Sequence, residues 1–410
     1  MKSLFRQLPW ISRAWKPLSF PGRAFARLAS DQPIEEERVP GYVASRYYPV
    51  RIGEVLRDRY QVVGKLGFGA SSTVWLARDL EGRQHVTLKL FINEASMGKQ
   101  LDQEVSIYRR ISDYTAKHPG RGAVRSLLDS FDVSGPNGTH RCLVHPPLGE
   151  SITTFLHRNP LARLPAPVLA FLLRRLFQAL DFLHTECQVI HTDIKGDNIM
   201  LGIQGDTVFT TFVVQEMTEP SPRKIIDEHR SIYLSRELTM SKGFGAPVLC
   251  DFGSAVVGDF EHLEDIQPDV YRAPEVVVEA PWSYEVDIWN AGCMIWDLIE
   301  GGHLFTGMDH EHQRYRSRAH LAEMVALLGD PPQALLDMGK SSHKFFTDRG
   351  TLHEDIPRPE KTSLESRETS LAGKSRDLFL AMMRRMLQWD PSKRATAKEL
   401  AADDWIMQYM

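Results

Sequence analysis

The sequence has little of what defines several protein classes. It holds only four cysteines, Cys142, Cys187, Cys250 and Cys293, and no two of them form a C-x-x-C pair. This spacing suggests neither a zinc site nor a disulfide framework, and it favours a reducing intracellular compartment. No apolar run approaches the roughly 18–20 residues that a membrane-spanning helix needs. The formal net charge is only −4, so charge offers no general argument for binding nucleic acid or a membrane surface.

Acidic residues are absent from the N-terminal segment, where none occurs before Asp31. Basic residues interspersed with large apolar ones fill that segment, a composition typical of a mitochondrial transit peptide. Pro9, Pro17 and Pro21 argue against it, because they would interrupt a long amphipathic helix. The alternatives are a targeting signal and a disordered basic tail. In either case we expect residues 1–40 to lie outside the fold.

The chain of 410 residues, of which 42% are hydrophobic, is long enough for two lobes with substantial cores. Pro40, Gly41 and Pro49 interrupt the chain here, and residues 41–59 are predicted to be a linker. β-rich segments over residues 60–148 predict a small antiparallel sheet of five strands with one helix. Residues 149–410 are mostly helical, with an insertion at 203–247. The predicted fold class is therefore α+β. The predicted strands are Tyr60–Leu66, Thr73–Ala77, His85–Phe91, Val124–Val133 and Thr139–Leu148, and the predicted helices are Leu101–Ile111, Pro167–Thr185, Asp287–Gly301, Leu321–Leu328 and Ser375–Leu387.

A glycine-rich turn joins the first two predicted strands, with Leu66 before it and Val74 after it. Gly67 and Gly69 lack a Cβ, so the backbone there can approach a phosphate and offer N–H groups to its oxygens. The pattern G-x-G-x-x-S is a weak signal by itself, and a plain hairpin turn is an equal alternative. A Rossmann turn is disfavoured, because a strand rather than a helix follows.

Lys89 lies in an otherwise apolar predicted strand, where a lysine is either exposed at an edge or buried with a partner. Taken alone, exposure is the better interpretation. Glu104, on the helix predicted to follow, is a candidate partner. Such a pair would hold the ammonium group against the α- and β-phosphates of a nucleotide.

A short polar loop at Ile190–Met200 lies between two apolar runs and contains Asp193, Lys195 and Asn198. A charged surface turn is the alternative interpretation. Asp193 suits a base that receives or orients a hydroxyl proton, and Lys195 suits neutralising charge on a transferring phosphoryl group. Asn198 and Asp251 would supply the oxygen ligands that Mg²⁺ prefers.

These motifs follow the order of the protein kinase signature set: glycine loop, strand lysine, helix glutamate, H-x-D-x-K-x-x-N, D-F-G and A-P-E. Together they span residues 60–405. The chain resembles the SR-protein kinase family through His191–Lys195, Asp251–Ala255 and the insertion before the D-F-G strand. It resembles fungal members of that family through Pro49–Glu54 and Tyr60–Gly67. The resemblance implies the bilobal protein kinase fold, with a small antiparallel β lobe carrying one helix and a larger, mostly helical lobe.

The resemblance also implies an activity: a serine/threonine protein kinase that uses ATP and Mg²⁺ to phosphorylate serines in arginine–serine-rich splicing factors, hence a role in mRNA processing. It implies a catalytic base at Asp193, a γ-phosphate contact at Lys195 and Mg²⁺ ligands at Asn198 and Asp251. The implied nucleotide-binding residues are Leu66, Gly67, Gly69, Val74, Lys89 and Glu104. Two structural roles carry over, an ion pair between Glu275 and Arg394 and an anchor for the catalytic loop at Asp287.

The expected partner is a protein substrate. We expect a monomer with no membrane span and no direct nucleic-acid contact. The expected location is the cytoplasm and nucleus, and the mitochondrion is the alternative if the basic N-terminus is a targeting signal.

The chain departs from the kinase pattern at Thr192, where most kinases carry an arginine that pairs with a phosphate on the activation segment. Between Asp251 and Glu275, only Ser254 and Tyr271 carry hydroxyl groups. Because phosphate receiver and donor are missing together, the sequence predicts a kinase whose activation segment needs no phosphorylation.

Other departures concern the nucleotide and the substrate. Thr87 stands where a smaller alanine is common, and its bulk is expected to weaken ATP binding. The hinge reads H-P-P, and prolines cannot donate, so His145 or Leu148 must offer the amide to adenine. Pro268–Asp269 differs from the family pattern, and the basic stretch Met308–Arg318 makes the substrate groove less acidic than the family's. A pseudokinase scaffold and a small-molecule phosphotransferase are the alternatives; the A-P-E and D-x-W motifs favour peptide substrates over the latter.

Overall fold

The computed structural model describes residues 14–21, 25–160, 162–239 and 243–410. The strands, in chain order, are β1 Val55–Leu56, β2 Tyr60–Phe68, β3 Ser72–Asp79, β4 Gln84–Phe91, β5 Asp129–Gly135, β6 Gly138–His145, β7 Val189–Ile190, β8 Ile199–Leu201, β9 Arg223–Ile225, β10 Ser231–Tyr233, β11 Pro247–Leu249, β12 Val256–Val257, β13 Met308–Asp309 and β14 Arg314–Tyr315. The helices are α1 Glu94–Met97, α2 Lys99–Asp113, α3 Ile152–Arg158, α4 Ala166–Asp181, α5 Thr207–Thr218, α6 Pro274–Val277, α7 Glu285–Glu300, α8 Ser317–Leu328, α9 Gln333–Met338, α10 Leu364–Arg367, α11 Gly373–Met386, α12 Ala397–Ala401 and α13 Asp404–Met407.

The described chain divides into two compact units. The first unit contains an antiparallel sheet and the second is mostly helical, as the α+β prediction required. The first unit comprises the described residues up to Asp102 with Ser126–Gly149 and Ile203–Gly245, and the second comprises Gln103–Arg125, Glu150–Gly202 and Ala246–Met410.

Six strands form the sheet of the first unit, in the order β1-β2-β3-β4-β6-β5. Five were predicted, because β1 lies inside the segment expected to be a linker. The β-branched and aromatic residues of β2, β3 and β4 alternate between two buried faces. Val62, Trp75 and Leu88 belong to the core on one face, whereas Val63 and Leu76 belong to the core on the other.

The insertion belongs to the sheet unit, which corrects its predicted place within the helical lobe. It forms helix α5 and the antiparallel hairpin β9–β10. Helix α5 buries Val208, Phe209 and Phe212 against Val63 and Leu76 of the sheet. A Cβ at Gly64 would lie 2.7 Å from the Phe212 ring, so glycine is what allows the helix to approach so closely. The predicted insertion at 203–247 looked irregular because the partners of its apolar residues lie far away in sequence.

The described part of the N-terminal segment also packs on the sheet unit, so the expectation that it lies outside the fold is wrong for these residues. The Trp15 amide donates to the Leu80 carbonyl at 2.7 Å. Leu18 exchanges two hydrogen bonds with the Gln61 side chain, at 2.9 and 2.7 Å. The physical reason is that Gln61 is a fully buried polar side chain in β2, and Leu18 satisfies both its amide nitrogen and, together with Arg78, its amide oxygen. The predictions for residues 1–13 and 22–24 lie outside the described residues.

The helices of the second unit match the predicted ones closely. Helix α7 is buried along almost its whole length and ends at Gly301, whose φ of +75° suits a residue without a side chain. The predicted strand Val124–Val133 starts only at Asp129, because Val124 forms an isolated bridge to Leu249 instead. Within the described ranges, no helix has the length and apolar character needed to span a membrane.

Candidate active site

Two buried side chains of α7 hold the backbone of the loop at Ile190–Met200. The Asp287 carboxylate accepts the N–H groups of His191 and Thr192, both at 2.8 Å. The Asn290 side chain accepts the N–H of Ile194 at 2.9 Å and donates to its carbonyl at 2.6 Å. Asp287 and Asn290 are both fully buried, and the charge-assisted bonds to the Asp287 carboxylate are of a kind that is among the stronger hydrogen bonds in proteins. The anchoring contact predicted for Asp287 is present, whereas the role of Asn290 was missed.

Three predicted catalytic-loop residues meet at one carboxylate. The Lys195 ammonium lies 2.7 and 3.0 Å from the two oxygens of Asp193. The Asn198 amide nitrogen donates to Asp193 twice, to the side chain and to the backbone carbonyl, both at 2.9 Å. Because that nitrogen faces Asp193, the Asn198 side chain keeps its oxygen as a ligand atom.

Strand pairing brings the D-F-G segment beside this loop. Strand β11 pairs antiparallel with β8, and the Cys250 amide donates to the Asn198 carbonyl at 2.8 Å. Asp251 follows with φ +63°. A Cβ built on Gly253 would lie 3.5 Å from a carboxylate oxygen of Asp251 and 3.4 Å from one of Glu104, so these two carboxylates flank that glycine.

The donor set fits a magnesium ion. Asp251 supplies a carboxylate and Asn198 a neutral oxygen, the hard ligands that Mg²⁺ binds in combination with phosphates and water. These two residues would hold the ion, whose positive charge would stabilise the anionic phosphates of a bound nucleotide.

Phe252 connects the same segment to helix α2. Its fully buried ring packs edge-on against Tyr108 and His191, with ring centroids 5.2 Å away in each case. The His191 ring also hydrogen-bonds the Cys250 carbonyl at 3.0 Å. Tyr108 lies in the predicted helix Leu101–Ile111, but no signal in the sequence indicated that Phe252 would be its partner.

The nucleotide-binding residues predicted in the first unit share one face of its sheet. Gly67, Val74 and Lys89 are direct neighbours across β2, β3 and β4, and neighbours in register project to the same side. A Cβ on Gly67 or Gly69 would meet no atom within 4 Å, so the protein's own packing does not require glycine at either position. Lys89 belongs to the first unit and Glu104 to the second, and their pairing stays a prediction.

Thr87 lies two residues before Lys89 and therefore projects to that same face. It is 2% exposed, and its hydroxyl oxygen has no hydrogen-bond partner among the described residues. A buried hydroxyl without a partner is costly. This orphaned polar atom, together with the open space above the two glycines, fits a polar ligand such as a nucleotide.

The activation segment is held by its own side chains. The Gln267 side chain donates to the Val286 carbonyl at 2.7 Å and accepts the Ala273 amide at 2.8 Å. Arg272 pairs with Asp265 and Asp269, at 3.2 and 3.1 Å. Gln267 belongs to the stretch that resembles the SR-protein kinase family, but no structural role was predicted for it.

Thr192, in the catalytic loop, also contacts the activation segment. Its hydroxyl donates to the Ser254 carbonyl at 2.9 Å, and its side chain is fully buried. Its φ of +66° is unusual for a β-branched residue, and the two hydrogen bonds of Thr192 offset the strain.

Tyr271, near the end of the segment, and Asp297 of α7 form a partly buried pair. The Tyr271 hydroxyl donates to Asp297 at 2.6 Å, and His303 contacts the same oxygen at 2.6 Å. Burial raises the pKa of the Asp297 carboxyl, and the Tyr271 hydrogen bond partly opposes that shift. Burial, then the Asp297 charge, raises the pKa of Tyr271.

The predicted pair of Glu275 and Arg394 is present. It is bidentate, with N–O distances of 2.5 and 2.7 Å, and both side chains are essentially inaccessible to solvent. It ties the A-P-E segment to the chain just before α12.

An antiparallel sheet unit with a glycine turn and a strand lysine, and a helical unit with an anchored D-x-K-x-x-N loop, define the class of protein. The model of the protein kinase domain matches residues 60–406, and the chain belongs to this family. The predicted α+β kinase fold is thereby confirmed.

Its relatives are serine/threonine protein kinases. One from Aspergillus fumigatus is 40% identical over 411 residues, which is 99% of this chain and 98% of that protein. The serine/threonine-protein kinase SRPK of Physarum polycephalum is 29% identical over 89% of this chain and 90% of its own length. SRSF protein kinase 3 of Mus musculus is 26% identical over 91% of this chain and 90% of its own length. These matches confirm the predicted resemblance to SR-protein kinases and to a fungal kinase.

Proposed function

We propose that this serine/threonine protein kinase transfers the γ-phosphate of ATP to serines of arginine–serine-rich proteins, with Asp193 as the catalytic base. The single observation that carries the catalytic part is the contact of Asp193 with Lys195 and Asn198 on a loop anchored by Asp287. A carboxylate held in this way can accept the proton of an attacking hydroxyl group. Lys195 would contact the γ-phosphate, and Asn198 would hold Mg²⁺ together with Asp251.

A matched pair of variants tests the catalytic assignment. Asp193→Asn removes the base, and we expect kcat to fall by about 10²- to 10⁴-fold. Asp197→Asn makes the same chemical change four residues further on, at an exposed side chain, and should retain activity. Transfer of radiolabelled phosphate to a basic peptide in the presence of Mg²⁺ measures both. A wild-type protein that labels no substrate at any magnesium concentration would favour a pseudokinase scaffold instead.

One observation favours arginine–serine-rich substrates, and a second one weighs against them. The relatives named SRPK and SRSF protein kinase favour arginine–serine-rich proteins. In this chain, however, Arg318 pairs with Asp309 and Glu311, each at 2.5 Å. The hydrogen bond from Arg318 holds the pKa of Asp309 well below its usual range. The two ion pairs of Arg318 also neutralise carboxylates that could otherwise attract substrate arginines.

A peptide comparison tests the substrate proposal. Arginine–serine repeats should be phosphorylated with a kcat/KM at least about tenfold above that of scrambled basic peptides of equal charge, a difference of about 1.4 kcal/mol in transition-state binding. Equal rates on both peptides would remove the arginine–serine assignment and leave the kinase activity intact.

We further propose that the activation segment works without phosphorylation, since Gln267, Arg272 and Thr192 already hold it. Phosphatase-treated enzyme should keep the kcat of untreated enzyme, and Ser254→Ala should do the same. An activation-segment phosphate that mass spectrometry finds and that turnover requires would contradict this proposal.

A further inference from the structure

The Tyr47 side chain contacts the glycine-rich turn from outside the kinase motifs. Tyr47 lies in the segment expected to be a linker, yet it is only 5% exposed. Its hydroxyl oxygen lies 2.9 Å from the Ala70 carbonyl oxygen and 3.2 Å from that of Gly69. A tyrosine hydroxyl has one proton to donate, so these two carbonyls at the tip of the turn share it.

Holding these carbonyls also orients two backbone N–H groups. No cis peptide bond occurs in the described chain, and in a planar trans peptide the C=O and N–H groups point in opposite directions. With the Gly69 carbonyl facing Tyr47, the N–H of Ala70 points away from it. With the Ala70 carbonyl facing Tyr47, the N–H of Ser71 also points away.

Those two N–H groups have no acceptor among the residues that the structure describes. Neither Ala70 nor Ser71 donates a backbone hydrogen bond to any described residue, whereas the N–H of Gly69 is used within the turn, donating to Ser72 at 2.8 Å. Adjacent unpaired backbone N–H groups of this kind bind anionic oxygens. The turn therefore presents the Ala70 and Ser71 amides as donors for phosphate.

The insertion holds Tyr47 in place. Arg230, in the turn of the β9–β10 hairpin, is 9% exposed, and its guanidinium donates to the Tyr47 carbonyl at 2.8 Å. The ring of Tyr42 packs against the Tyr47 ring, with centroids 5.1 Å apart. Hydrogen bonds therefore lead from the insertion through Tyr47 to the glycine-rich turn, and all of these residues belong to the first unit.

We propose that Tyr47 is a positioning residue for nucleotide binding: its hydroxyl directs the Ala70 and Ser71 amides toward the phosphates of ATP, and Arg230 keeps Tyr47 where it can do so. This rests on the proposed function in one respect, that ATP phosphates lie over the glycine-rich turn. The insertion thereby becomes a determinant of phosphate affinity although it carries no kinase motif.

The experiment compares two ligands on one variant of the full chain. Tyr47→Phe keeps the ring and removes the hydroxyl. By titration calorimetry, its affinity for ATP with Mg²⁺ should fall about fivefold, the effect of one ordinary hydrogen bond. Its affinity for adenosine, which has no phosphate, should stay at the wild-type value. Tyr42→Phe removes a neighbouring hydroxyl that does not reach the turn and should change neither affinity.

A second variant tests the role of the insertion. Arg230→Gln should lower the affinity for ATP, as Tyr47→Phe does. The double variant should be no weaker than Tyr47→Phe alone, because the two residues act through one contact. Equal losses for ATP and adenosine, or no loss for ATP, would overturn the proposal. Binding is measured without phosphotransfer, so failure here is distinct from failure of the Asp193 assignment.

Discussion

At the scale of single residues, burial determines how the protein responds to pH. His320 on α8 is fully buried; its Nδ1 is hydrogen-bonded with the Tyr315 hydroxyl at 2.9 Å, and its other nitrogen has no partner among the described residues. Burial, with a smaller contribution from Arg272, lowers the pKa of His320 to about 3. The imidazole is therefore neutral in the folded protein near neutral pH.

The sign of the pH effect follows from this lowered pKa. Above the ordinary histidine pKa of about 6.5, His320 is neutral in both states and has no effect. Below it, the unfolded chain binds a proton that the folded protein does not, so the free energy of unfolding decreases as pH falls from about 6.5 toward 3.

We therefore predict that His320→Gln makes the protein's stability less dependent on pH. Between about pH 7.5 and 5.5, the wild-type free energy of unfolding should decrease by about 1.4 kcal/mol more than that of the variant. Urea titrations at the two pH values measure this difference. The exposed His343→Gln is the control and should retain the wild-type dependence; identical pH dependence in His320→Gln and wild type would refute the prediction.

At the scale of elements, one buried ion pair ties α6 to the chain before α12. Glu275 and Arg394 satisfy each other, and Arg394 also donates to the Glu285 carbonyl at 3.0 Å. Breaking such a pair leaves one charge buried alone, which costs more than replacing both partners by apolar groups.

Arg394→Met should accordingly lower the free energy of unfolding by about 3–5 kcal/mol. The double variant Glu275→Leu/Arg394→Met should be less destabilised than this single variant, because no uncompensated carboxylate remains. The adjacent Lys393→Met alters a largely exposed side chain 3.6 Å from its partner Asp390 and should change stability by about 0.5 kcal/mol at most. A double variant as unstable as the single one would show that the pair's charges are not the cause.

Elements also show how far periodicity predicts structure. Helix α7 was predicted almost to the residue, because its apolar spacing and terminal Gly301 are local signals. Helix α5 was missed, because Phe209 and Phe212 pack against Val63 and Leu76, which lie more than a hundred residues earlier in the chain. The role of Gln267 was missed for a different reason: it lies in an irregular loop, where no periodic pattern indicates which side chain will hold the backbone.

At the scale of the whole molecule, the N-terminal segment and the insertion complete the sheet unit. Lys65 is fully buried in β2, and its ammonium contacts Glu35 at 3.3 Å, Glu36, and the Tyr233 carbonyl at 3.2 Å. Lys224 of the insertion pairs with the neighbouring Glu37 at 2.9 Å. We call the acidic triplet Glu35–Glu37 the N-terminal clasp.

Removing the clasp should destabilise the protein, because it leaves the buried Lys65 ammonium without a counter-charge. Deleting residues 2–38 should lower the thermal midpoint far more than deleting residues 2–30, which keeps the clasp. Adding Lys65→Met to the longer deletion should restore part of the lost thermal midpoint, because an apolar side chain needs no counter-charge. The same substitution in the intact chain should lower the midpoint. Thermal melts of these four variants and the intact protein measure this, and equal midpoints for both deletions would rule the clasp out.

The same deletions address location. Location in the cytoplasm and nucleus stays a prediction for this chain, with the mitochondrion as the alternative. Imaging the full chain beside the variant lacking residues 2–30 would test it, since mitochondrial staining that the deletion abolishes would favour a targeting signal.

The sequence by itself determined the kinase family, the order of the motifs and the chemical types gathered around Asp193. It could do so because each motif is a local pattern: a turn, a strand lysine, or the polar residues of the short stretch Asp193–Asn198. Only the tertiary structure decided what surrounds those motifs. Tyr47 and Arg230 lie 183 residues apart, and Lys65 meets the clasp across a linker that looked structureless. A buried polar group must find a partner somewhere, but only the folded chain decides which distant residue it is.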